Sequence, residues 1–112
     1  IELNGEWANF YCAMAYPGSE LYRNAKKEKI ELPEEVKEIG WIGYSQHSYR
    51  CYPLPTKNLS RAEVLKFRDE SFEKYFKGEK YLEMIKNKFG KKVEEHIQEM
   101  NKIKLKRKLF ED

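Results

Sequence analysis

At 112 residues, 40% of them apolar, the chain is long enough for one domain with a modest core. Charged residues make up 37%, and no apolar run is long enough to span a membrane. The net charge of +3 is too small to imply a nucleic-acid partner, and 14% aromatic residues argue against disorder.

The chain opens without methionine and runs almost at once into "WANFYCAMAY", Trp7 to Tyr16, so it reads as a piece of a longer polypeptide. Both alternating faces of this segment are apolar, which suits a strand buried on two sides in a parallel sheet or barrel; a buried helix segment is the other reading. "PGSELYRNAKKEK" follows, with Ser19 as a helix N-cap. Strand, glycine turn and helix make a βα unit, and the predicted fold is α+β but mostly α. A strand without neighbours leaves one flank of its backbone open, so rearrangement or self-association is expected.

A polar connection comes next, with a helical turn after Pro33. "GYSQHSYRCYPLPT", Gly43 to Thr56, is too rich in Gly, Ser and Pro for a long regular element. Ser60 and Glu63 then form a capping box, with Leu59 and Val64 as a hydrophobic staple. Leu65, Phe72, Tyr75 and Phe76 recur at helical spacing, widened by Val64 and Phe67, up to Gly78. Two more amphipathic helices follow. One carries Tyr81, Leu82, Ile85 and Phe89 up to Gly90, and the other carries Val93, Ile97, Met100 and Ile103 into the basic run Lys102 to Lys108. The domains expected are 1–30, an irregular aromatic connection at 31–58, and a helical domain at 59–112.

Few residues offer chemistry. No C-x-x-C, H-E-x-x-H or G-x-S-x-G is present, and the Glu residues lie beside Lys along helix faces as solvated pairs. Cys12 and Cys51 could pair in one disulfide, but they read as buried, reduced thiols of an intracellular chain, although Arg50 beside Cys51 favours a thiolate. His96 belongs to a charged helix surface. His47 is either a structural histidine or a contact to a polar ligand. In "YPGS", Gly18 permits close approach of a ligand to a helix start, and Pro-Gly equally makes an ordinary turn.

Taken in order, "NFYCAMAYPGSELYRNAKK", "GYSQHSYRCYPLPTKNLSRAEVLKFRDESFEKYF", "YLEMIKNKFG" and "IKLKRKL" resemble the C-terminal part of a radical S-adenosylmethionine enzyme. The branch resembled carries an N-terminal cobalamin-binding domain and includes Fe–S oxidoreductases and methyltransferase-like enzymes. The resemblance implies that residues 1–30 are the last βα unit of a partial TIM-type barrel, followed by about three amphipathic helices. It places Tyr16, Pro17, Gly18 and Ser19 at the S-adenosylmethionine rim, and offers Tyr44, Gln46, His47 and Tyr49 to a small-molecule substrate. The parent's cofactors would be a four-iron four-sulfur cluster, S-adenosylmethionine and possible cobalamin. The cluster signature C-x-x-x-C-x-x-C is absent here, so the chain is expected to hold no metal or cofactor and to be non-catalytic alone. Its role would be to close the barrel and shape the substrate cavity beside an upstream core, in the cytoplasm. The competing reading is an autonomous helical binding module that contacts protein or nucleic acid through Lys102 to Lys108. Glu94, Glu95 and Glu99 just upstream offset that run, and no specific nucleic-acid site is expected.

Overall fold

A computed structural model describes residues 4–111. Its elements are α-helices α1 (Glu20–Lys27), α2 (Arg61–Phe76), α3 (Glu79–Phe89) and α4 (Lys91–Asn101), with short 3-10 turns at Pro33–Glu35, Trp41–Tyr44 and Lys108–Phe110. No helix is long and apolar enough to cross a membrane among the described residues. The chain divides into two compact units. One comprises Ile1–Phe10 with Arg68–Lys104, and the other comprises Tyr11–Phe67 with Leu105–Asp112.

The expected βα unit of a TIM-type barrel is not present, because the described residues contain no strand. Residues 7–16 form no regular element, and no second strand supplies a ladder. Side chains and one loop amide hold the backbone between Gly5 and Ala13 instead. In the first unit, the Tyr75 hydroxyl donates to Gly5 O, the Tyr81 hydroxyl to Glu6 O at 2.8 Å, and Arg68 Nε to Phe10 O at 2.6 Å. In the second, Leu54 N–H donates to Ala13 O at 3.1 Å, and the Gln46 amide holds Cys12. Burial does alternate with period two, as an extended chain requires. Cys12 and Met14 are buried, whereas Tyr11 and Ala13 face outward; the alternation ends at Ala15, which is buried as well. Trp7 and Tyr11 are 55% and 62% exposed.

The first unit is built on an aromatic cluster. Phe76 is fully buried, with the rings of Trp7 at 4.7 Å, Phe72 at 4.6 Å and Tyr81 at 5.3 Å, the last edge-on. Ile85 from α3 and Ile97 from α4 complete the core. Gly90 joins these two helices at φ +96, a left-handed conformation that suits glycine. Lys102 is the C-cap of α4, so Ile103 does not extend its apolar face as the spacing suggests, and it is exposed.

In the second unit, α1 begins at Ser19, whose hydroxyl accepts the Tyr22 N–H at 3.1 Å. Ahead of α2, Ser60 and Glu63 exchange the two hydrogen bonds of a capping box, at 3.2 and 3.4 Å. Leu65 anchors a cluster with Cys12, Met14 and Cys51, while Phe67, expected to widen the apolar stripe, is exposed. A second cluster gathers Ala15, Ala25 and Leu32. Neither cysteine forms a disulfide, and both are buried.

Candidate functional site

The 3-10 turn at Pro33–Glu35 begins on a proline, whose fixed φ suits a first helical position, and it presents Glu34. One Glu34 carboxylate oxygen accepts from the Tyr22 hydroxyl of α1 at 2.7 Å. The other accepts from the Tyr44 hydroxyl at 2.6 Å. Tyr44 reaches it because the backbone at Gly43 lies hard against its neighbours. A Cβ there would stand 2.5 Å from Ile39 Cγ2 and 2.7 Å from Pro33 Cβ. Burial opposes ionisation of Glu34. The hydrogen bonds from Tyr44 and Tyr22, helped by its own backbone amide and Lys26, outweigh that and hold the carboxyl below its ordinary value. The Tyr44 hydroxyl moves the other way, pushed up by burial and by the carboxylate it serves. Lys26 Nζ stands 4.9 Å over the Tyr22 ring.

Gln46 follows the second turn. Its Oε1 accepts the Cys12 N–H at 2.8 Å, and its Nε2 donates to Cys12 O at 3.0 Å and to the Tyr16 hydroxyl at 3.1 Å. The Tyr16 ring packs 5.8 Å from Tyr44, and Tyr44 stacks on Trp41 at 6.1 Å and 30°. His47 meets Tyr11 edge-on at 6.3 Å. Tyr11, Tyr16 and Trp41 are all exposed, so the group forms an aromatic surface with polar atoms beneath it.

The residues singled out in the sequence are therefore partly brought together. Tyr16 is hydrogen-bonded to Gln46 and packed on Tyr44, and His47 meets Tyr11. The structure ties Tyr49 to a different segment: its hydroxyl donates to the Glu111 carboxylate at 2.5 Å, and its carbonyl accepts the Lys108 N–H at 2.8 Å. The Pro17-Gly18-Ser19 turn is occupied by its own cap, since the Ser19 hydroxyl also donates to Tyr16 O at 2.6 Å. Gly18 stands at φ +90 with nothing within 4 Å of a Cβ, so glycine is required there by backbone conformation and not by a close neighbour. His96 lies exposed on α4.

Sequence reasoning missed Glu34, Tyr22, Trp41 and Arg107. Only the Leu32-Pro33 step marked the Glu34 turn. Arg107 read as one cation of a basic run, but it is 2% exposed and donates through Nη1 to Gln46 O and Ser48 O, both at 2.8 Å.

A carboxylate held low by two phenols is a poor general base near neutral pH. An iron–sulfur cluster needs several thiolates, and the two cysteines here lie inside an apolar cluster, which does not fit that role. No group of three or more His, Cys, Asp or Glu side chains is placed to share a metal ion among the described residues. Comparison with family models, with curated proteins and with solved structures found no match.

Proposed function

We propose that this chain is the C-terminal part of a radical S-adenosylmethionine enzyme, a cytoplasmic Fe–S oxidoreductase or methyltransferase-like protein, in which it shapes the substrate cavity and is not catalytic by itself. The observation that carries the reading is the Gln46–Tyr16 hydrogen bond, with Tyr16 packed on Tyr44. It joins the segment assigned by resemblance to the cofactor rim with the segment assigned to substrate. Exposed aromatic faces over a polar layer suit an organic substrate that needs both stacking and hydrogen bonding. An upstream core of the same polypeptide supplies the four-iron cluster and S-adenosylmethionine, with cobalamin belonging to the branch resembled. Tyr44, Gln46, His47 and Tyr49 are the substrate-side candidates; the hydroxyls of Tyr44 and Tyr49 serve Glu34 and Glu111, so these two would contribute their rings.

The reading as an autonomous module acting through Lys102 to Lys108 is weakened by the burial of Arg107 within that run. The deciding experiment is to sequence the reading frame immediately upstream. A C-x-x-x-C-x-x-C signature in frame supports the proposal. A stop codon or an unrelated domain overturns it.

A further inference from the structure

In an antiparallel ladder, a hydrogen-bonded pair of residues exchanges two bonds, each giving an N–H and accepting at a C=O. The side-chain amide of Gln46 makes both bonds to Cys12, at 2.8 and 3.0 Å, so one side chain occupies the place of a strand. Its orientation is fixed twice. Nε2 donates its second hydrogen to Tyr16, and the backbone carbonyl of Gln46 is gripped by the buried Arg107 guanidinium. The other edge of the segment is taken at Ala13 O by Leu54 N–H.

We infer that Gln46 is a lock on a strand edge whose complement is a second copy of the same segment. Residues 11–16, "YCAMAY", carry no charge, proline or glycine. They therefore lack the usual devices that keep an edge from pairing with its own kind. From Tyr11 to Met14 the side chains alternate, with Cys12 and Met14 inward and Tyr11 and Ala13 outward, which is the pattern a paired strand needs. Two copies meeting antiparallel about a two-fold axis present the same N–H and C=O groups to one another, with no like charges to separate them. The inference holds whether or not the chain belongs to the enzyme class proposed above.

The test is Gln46→Ala in the 112-residue chain, followed by light scattering across a concentration series and by amide hydrogen exchange at Cys12. The expected result is faster exchange at low concentration and a mass rising toward two copies of the 13.5 kDa chain. A companion variant adds Ala13→Lys, which puts a charge on the exposed face of the same segment and should return the mass to one copy. Gln46→Ala that keeps its helical circular dichroism and stays monomeric overturns the inference. So does association that Ala13→Lys leaves unchanged, since that would be unspecific aggregation of a damaged fold.

Discussion

Arg107 donates through its guanidinium to the carbonyl oxygen of Gln46 at 2.8 Å, across 61 positions of sequence. The same nitrogen serves Ser48 O, so the last residues of the chain hold the loop that carries the candidate site. Replacing Arg107 by Met leaves two carbonyls without their charged donor. A charge-assisted hydrogen bond is worth about 1.5–3 kcal/mol, and the expected loss lies in that range. Urea denaturation measures it. Arg107→Lys should recover only part, since an ammonium lacks the planar fork. A Met variant as stable as the parent would remove Arg107 from this role.

Gly43→Ala should destabilise the second unit by about 1–3 kcal/mol, the usual range for overpacking. The added methyl meets Ile39, Pro33 and, at 3.2 Å, Tyr52. Chemical denaturation gives the stability, and the loss of Tyr44 from Glu34 should appear as a lower Tyr44 pKa in an ultraviolet titration. An unchanged midpoint would mean that the turn opens without cost.

The acid limb of stability should carry a contribution from Glu34. Its folded pKa is lowered relative to the ordinary value of 4.5, so the contribution is present above that value and is lost as pH falls through the folded pKa. Tyr22→Phe with Tyr44→Phe removes both donors and should flatten stability against pH below about 4.5. Equal slopes in the two proteins would assign the acid limb to other carboxylates.

Ser60→Ala should cost about 1 kcal/mol by loss of the cap at the start of α2. The measure is again equilibrium denaturation, with Ser60→Asp as the control that preserves an acceptor. A loss of equal size in both variants would show that Ser60 does not act through Glu63 N–H.

The helical part of this fold is readable because its signals are local. Ser60 and Glu63 sit three apart, Gly90 punctuates two apolar stripes, and Ser19 precedes α1. The segment 7–16 misleads for the opposite reason. Apolar residues on both of its faces imply two covering layers, yet the groups that hold the backbone from Gly5 to Cys12 lie far along the chain, on Gln46, Arg68, Tyr75 and Tyr81. A hydroxyl or guanidinium that substitutes for a neighbouring strand leaves no periodic trace. The site was half legible: Tyr44 and Gln46 stood out in the polar, aromatic run Gly43–Thr56 and Tyr16 at the Pro17-Gly18 turn, whereas Glu34 looked like one of many solvated acids.

The tethers on residues 5–10 make that segment a ruler with unequal marks. Two phenols read the carbonyls of Gly5 and Glu6, and a guanidinium reads that of Phe10. A ladder of identical backbone groups can slip by two residues and find the same partners again. These tethers cannot, because each is a different chemical group at a fixed spacing. An insertion or deletion of one residue between Glu6 and Phe10 would therefore strand one end or the other.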